Sequence, residues 1–186
     1  MSQYYVLVAD THVEELASVM DIPEEIDYDD WFKGKVLTID NAKSIPAKLK
    51  RGSGKFRGSI MPGVLPLFFE DFIKQLKDFG VENIQHQYVD LYDPAAGETL
   101  YKYYLVNIVG LISCVNDFDM SLPAWERPKL EKFTIDATKT NGLHIFRLAE
   151  KPRLIVISQE LRKAILANGP VGIQMIPTTE FTGFMG

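Results

Sequence analysis

Residues 66–107 read PLFFEDFIKQLKDFGVENIQHQYVDLYDPAAGETLYKYYLVN, and the change of period inside that stretch decides the fold class. Over 66–79, Phe68, Phe69, Phe72, Ile73, Leu76 and Phe79 recur at helical spacing, which predicts a helix with one broad apolar face. Pro66 suits the first turn. Glu70 and Asp71 stand toward the start and Lys74 and Lys77 toward the end, an order that complements the helix dipole, and Gly80 supplies the stop. The helical period then disappears. Ile84 to Leu91 predicts a strand, Asp93-Pro-Ala-Ala-Gly97 a turn, and Thr99 to Asn107 the returning strand of a hairpin.

Working outward, the same reading gives more strands than helices. Downstream, Ile108 to Val115 continues as strand after a bend at Gly110. Leu130 to Ile135, His144 to Leu148 and Leu154 to Ile157 follow as short strands. Ser158 reads as the N-cap of a second helix over 159–167, which Asn168-Gly169-Pro170 ends. Val171 to Ile176 is a last strand, and 178–186 is expected to fray. Upstream, Tyr4 to Ala9 reads as a buried strand and Lys35 to Ile39 as a short one. Residues 11–32 look irregular, and 41–64, with two prolines and four glycines, look like a long loop. Strands that outnumber helices without alternating with them predict an α+β fold with a mostly antiparallel sheet and two main helices, about 66–79 and 159–167. The expected organisation is an N-terminal part, 1–64, packed on a main domain, 65–186.

Composition narrows the function. Hydrophobic residues make up 46% of the 186-residue chain and charged residues 24%, as in ordinary globular proteins. The longest apolar stretch, Tyr103 to Val115, is interrupted by Asn107, Gly110 and Ser113, short of the roughly 18 apolar residues of a membrane helix. The first ten residues lack the basic start and apolar run of a signal peptide, so the expected address is cytoplasmic. Net charge is −5, unevenly spread. Asp10 to Asp30 holds nine acids and no Lys or Arg, whereas Lys43 to Arg57 holds six bases and no acid. The acidic balance argues against broad or specific nucleic-acid binding. The acidic run fits a basic partner or a solvated edge.

Catalytic signatures fail. Gly52-Ser53-Gly54-Lys55 resembles the end of a phosphate loop, but Leu49 stands where that loop needs Gly and Phe56 where it needs Ser or Thr. It reads better as a basic surface loop. His12, His86 and His144 have no metal-binding spacing, and the lone Cys114 sits in an apolar stretch as core packing would place it. Asp27, Asp29 and Asp30 lack the spacing and glycine of a calcium loop. No Gly-x-Ser-x-Gly elbow occurs. No catalytic residue, metal site or cofactor is therefore expected. An acid/base pair assembled in space stays open, as does a homo-oligomeric scaffold.

From about Leu65 to the end, the chain resembles a bacterial immunity-protein family of polymorphic toxin systems. Six segments carry the resemblance in order: Leu65 to Phe72 with its helix through Leu76 and Gly80; Ile84 to Tyr88; Tyr101 to Asn107 and the Asp117 region; His144 to Leu148; Ile155 to Ser158 with helix 159–167; and Gly169 to Ile173. One departure is Phe69, where the family often has Ser at the helix start, and this changes the N-cap. The resemblance implies a non-catalytic protein that binds and neutralises a cognate toxin domain. Such partners are often nucleases, which are basic because they hold phosphate.

Taken with the charge pattern, the expected contact is Glu24, Glu25, Asp27, Tyr28, Asp29, Asp30 and Trp31. The carboxylates would steer association, and Tyr28, Trp31 and Phe32 would anchor it. The competing reading has Trp31 and Phe32 in the core and the acids in solvent. Lys50, Arg51, Lys55 and Arg57 form a second candidate contact. Arg147 is expected to pair with a buried carboxylate.

Overall fold

Two segments, Tyr4–Ala9 with apolar residues on both faces and Ile45–Leu49 with an alternating pattern, found two different sheets. The computed structural model describes residues 3–21, 26–27, 29–40, 42–63, 65–123 and 126–183. In chain order the strands are β1 (Tyr4–Ala9), β2 (Val19–Asp21), β3 (Ile45–Leu49), β4 (Ile60–Met61), β5 (Leu67–Phe69), β6 (Ile84–Asp93), β7 (Glu98–Ile108), β8 (Leu111–Ile112), β9 (Ile145–Leu148), β10 (Lys151–Ser158) and β11 (Ile173–Pro177). The helices are α1 (Glu70–Asp78) and α2 (Gln159–Ala167). The first sheet runs β11-β1-β10-β9-β8 and the second β2-β3-β6-β7-β5-β4. Among the described strands only β3–β6 and β8–β9 pair in parallel, so the fold is α+β and mostly antiparallel.

Three cores follow from the alternation of strand side chains. Between the sheets, Leu7, Ile155 and Ile157 of the first meet Ile60, Phe68, Val106 and Ile108 of the second, closed by α1 and α2. On the far side of the second sheet, Val19, Ala47, Val89, Leu91 and Leu105 pack with Ala17, Trp31 and Phe32. On the far side of the first, Val6, Phe146 and Val156 are covered by Cys114, Leu130, Phe133 and Phe181.

Several boundaries differ from the sequence reading. The helix of 66–79 begins only at Glu70, because Leu67–Phe69 is β5 and pairs with Leu105, Tyr104 and Tyr103. Leu67 enters one core and Phe68 another, so apolar residues wanted on both faces imitated a helical stripe. Phe69, as the N-cap of α1, makes no side-chain cap bond. Ser158 caps α2 as expected, accepting from Leu161 N at 3.2 Å.

The supposed loop 41–64 contains β3 and β4. Pro46 masked β3, but β2 pairs only with Leu49 and Lys48, so Pro46 lies beyond that ladder. Lys35 to Ile39 is not a strand; side-chain amides replace a ladder there. Gln85 Oε1 accepts from Leu37 N at 2.8 Å, Gln85 Nε2 donates to Leu37 O at 2.9 Å, and Asn107 Nδ2 donates to Lys35 O at 2.7 Å. Leu130 to Ile135 keeps a single bridge, Val115 to Ile135. The last strand starts two residues later than expected, at Ile173. The tail does not fray up to Phe181. Thr178–Glu180 is a 3-10 turn, Lys132 N donates to Phe181 O at 2.8 Å, and Phe181 is fully buried.

Candidate binding surfaces

Pairing of β2 with β3 brings the acidic and basic runs side by side. Lys50 N donates to Ser18 O at 2.8 Å, Phe56 N to Glu15 O at 2.8 Å and Ala17 N to Phe56 O at 2.9 Å. Of the expected acidic contact, Glu24, Glu25 and Tyr28 lie outside the described residues. Asp27 and Asp29 are exposed, Asp27 accepting from Asp29 N at 2.9 Å, and Asp30 pairs with Lys33 at 2.6 Å. Trp31 is 6% exposed and packs with Phe32 in the core under the second sheet. Its ring thus holds the segment to the body while the carboxylates face water.

Lys50, Arg51 and Lys55 are exposed around the turn closed by Ser53 N and Lys50 O, 3.0 Å. Arg57 behaves differently. Its guanidinium reaches buried Asp93 at 2.6 Å and Gly54 O at 3.0 Å, tying the loop to the end of β6. A bidentate-capable planar fork suits that tether.

Sequence reasoning missed a third surface. The face of the second sheet that points into the inter-sheet core at Ile84, Val106 and Ile108 continues outward past the end of the first sheet. There it carries His86, Tyr88, Asp90 and Tyr92 of β6, Tyr104 of β7 and Lys48 of β3. Tyr88 and Tyr104 stand directly opposite each other with ring centroids 5.4 Å apart, and His86 packs on Tyr104 at 5.2 Å. The register shifts between Val89 and Leu91, leaving Tyr101 and Lys102 in a bulge opposite Asp90. Lys102 has φ 72° there, and Tyr101 is 62% exposed. Bulges re-aim side chains, and this one turns an aromatic ring into solvent. Lys102 reaches Glu70 of α1 at 3.4 Å, and Tyr104 Oη donates to the same carboxylate at 3.5 Å. Lys77 Nζ lies 2.7 Å from His86 Nε2, which fixes that nitrogen as acceptor. Burial, and then the Lys77 charge, push the His86 imidazole below its ordinary range. Tyr, His and Lys recurring at alternate positions from His86 to Tyr104 were the available signal, hidden by the bulge.

Cys114 is fully buried, and burial pushes its thiol up to about 12. Among the described residues no three His, Cys, Asp or Glu side chains converge as metal ligands would, and no helix is long and apolar enough to cross a membrane.

Arg147 departs from expectation. It is 1% exposed and makes no ion pair among the described residues. One terminal nitrogen donates to Pro152 O at 3.0 Å, while Nε and the other terminal nitrogen have no partner among the described residues. Its Cζ lies 5.1 Å from the Phe32 ring centroid, and that of Arg153 lies 5.4 Å from the same centroid. Burial draws its pKa down to about 10, which still leaves it charged near neutrality. Phe32 and Arg153, but not Arg147, line a mainly apolar cavity of about 350 Å³ between β1, β10 and Ile60, Pro62, Gly63 and Pro66.

The described residues thus form an α+β body with exposed charged segments and a tyrosine-bearing open sheet face. The model of the immunity protein family Imm11 matches residues 76–180, from within α1 to the 3-10 turn after β11. This chain belongs to the Imm11 immunity protein family. None of the curated proteins matches it.

Proposed function

We propose that this protein binds a cognate toxin domain, leaving it inactive, and that it does so by surface complementarity with no bond made or broken on it. Membership of an immunity family is the observation that carries this reading. The docking face is the outer end of the second sheet, where Tyr88, Tyr92, Tyr101 and Tyr104 offer large, stiff contact area. Tyrosine is over-represented among residues that dominate binding energy, and its two χ angles limit the entropy lost on ordering. Exposed Asp27 and Asp29 add long-range attraction for a basic toxin such as a nuclease, acting on the association rate. Lys50, Arg51 and Lys55 supply the opposite sign at the neighbouring edge. The partnership forms in the cytoplasm, where an incoming nuclease would act.

Co-expression with the cognate toxin domain tests the reading. The parent chain should rescue growth and co-purify. The double change Tyr88→Ala and Tyr101→Ala should keep the fold and lose rescue. Charge reversal of Asp27, Asp29 and Asp30 should slow association and flatten its salt dependence while leaving dissociation nearly unchanged. No rescue by the parent chain would overturn the function. Full rescue by the double variant would move the interface elsewhere.

A further inference from the structure

The edges of the two sheets are unequal. β2, β4 and β8 run only three, two and two residues, and an edge that short offers little to an incoming strand. β11 runs five residues and, among the described strands, pairs with β1 alone. Backbone alternation fixes which of its groups are free. Gly172 O accepts from Asp10 N at 2.9 Å, one step beyond the Ala9–Ile173 pair. Bonded and unbonded pairs alternate along an antiparallel ladder, so Gln174 and Ile176 turn their backbone groups to β1, and Ile173 and Met175 turn theirs outward. The opposite side of β1 gives the same parity. Gln159 N donates to Gln3 O at 3.0 Å, which assigns Tyr5 and Leu7 to β10 and leaves Val6 and Val8 for Ile176 and Gln174. Among the described residues no hydrogen bond reaches the outward groups of Ile173 and Met175.

This edge lacks the charges that commonly keep edges apart. From Ala164 to Thr179 the chain has no Asp, Glu, Lys or Arg, its longest uncharged run. Within that run Ile173, Met175 and Ile176 are only partly buried, and Leu166 and Val171 are exposed. Asp10, just past β1, accepts from Gln174 Nε2 at 2.6 Å, and Arg162 of α2 stacks on the Tyr5 ring at 4.5 Å. A chain of net charge −5 repels its own copy, and an uncharged edge is where two copies approach with least repulsion. A basic partner is drawn to the carboxylates instead.

We infer that β11 is a self-pairing edge, through which two copies of this chain join antiparallel, about a two-fold axis at Gln174, into one continuous sheet. In that register Ile173 of each copy stands opposite Met175 of the other, and each such pair exchanges both backbone bonds. The same patch serves both copies, as a two-fold interface requires. The ladder ends where its donors and acceptors end. Pro177 has no N–H to give. Val171 O accepts from Ser59 N at 2.8 Å, and Val171 N donates to Ser59 Oγ at 3.1 Å. β11 carries none of the tyrosines of the second sheet, so pairing of copies and docking of a toxin are separate events.

Sedimentation equilibrium on the full chain, from low to high micromolar, should show a monomer rising to twice the chain mass. Over the same range amide exchange at Ile173 and Met175 should slow, while Gln174 and Ile176, bonded to β1 throughout, should change little. Met175→Pro removes a donor that makes no bond within the chain, so this variant should keep its fold by circular dichroism and stay monomeric. Gln174→Cys puts two thiols on the axis, where an unbonded antiparallel pair holds its Cα atoms about 4.5 Å apart, within reach of a disulfide. Mild oxidation should cross-link that variant, whereas Val36→Cys, exposed on another segment, should stay uncross-linked. If Met175→Pro proves unfolded, the Gln174→Cys result decides alone. A monomer at every concentration would overturn the pairing. So would a dimer that persists in folded Met175→Pro, or one that leaves Gln174→Cys uncross-linked. Ile173 and Met175 amides protected only on adding a toxin domain would assign the edge to the toxin and overturn it too.

Discussion

One face of the second sheet has two ends with opposite characters. At the inner end Ile84, Val106 and Ile108 are sealed against the first sheet and the helices. At the outer end, on the same strands and facing the same way, His86, Tyr88, Tyr92 and Tyr104 meet water at least in part. β6 and β7 run ten and eleven residues, and the first sheet covers only part of that length. On this face the excess length closes no core, although the other face of the same stretch carries Val89, Leu91 and Leu105 of the second core. Under the docking proposed above, stability and recognition are segregated along two strands, so mutations at the two ends should separate cleanly.

The largest effect belongs to the inner end. Ile108 is fully buried, and Ile108→Ala should lower unfolding free energy by about 2–5 kcal/mol, through lost transfer energy and a cavity. Urea unfolding gives the value. Affinity for the toxin, measured where the variant is folded, should stay near that of the parent. An equal loss in affinity would break the segregation.

The outer end predicts the reverse. Tyr101 projects from the bulge, so Tyr101→Ala should change stability by no more than about 0.5 kcal/mol, the usual range for surface substitutions. In the complex it should cost about 2 kcal/mol or more of binding, as truncated hot-spot aromatics do. Calorimetric titration with the toxin domain reads that number. A Tyr101→Ala chain that binds normally but unfolds early would make the bulge a structural device.

The two ends were not equally legible in the sequence. β1 spans Tyr4–Ala9 as expected, and α2 spans Gln159–Ala167 behind its Ser158 cap, because local chemistry alone determines them. The hairpin was legible through its Pro/Gly turn. The tyrosine face was not: a one-residue bulge changes which residues share a face, and only pairing reveals it. β3 was hidden by Pro46, whose missing donor is harmless only because β2 is so short. Trp31 looked like an anchor because it stands among acids, yet sequence cannot say which ring a sheet will need as cover. The environment of Arg147 was the least legible of all. Phe-Arg-Leu reads as a buried strand with a paired charge, whereas the arginine is held by the Pro152 carbonyl and the Phe32 ring, and no acid among the described residues reaches it.

The smallest effect sharpens the comparison at its boundary, where His86 stands between the dry end and the tyrosines. Burial first, and Lys77 second, hold its folded pKa below the ordinary value of about 6.5. As the pH falls, the unfolded chain therefore takes up the proton before the folded one. The stability contributed by neutral His86 is complete above about pH 6.5 and is lost as the pH falls from there through the lower folded pKa. Protonation also removes the acceptor that Lys77 uses. Asp119 and Asp136, whose carboxylates are held below the usual range by Ser121 and Thr138, act only in more acidic solution. Urea midpoints between pH 7.5 and 5 should decline for the parent chain and decline less for His86→Gln, which keeps an acceptor for Lys77 and cannot titrate. A toxin seated on this face would desolvate His86 further, so its affinity should weaken over the same pH interval in the parent and not in the variant. Equal slopes in both chains would place the complex away from His86, and with it away from the outer end of the sheet.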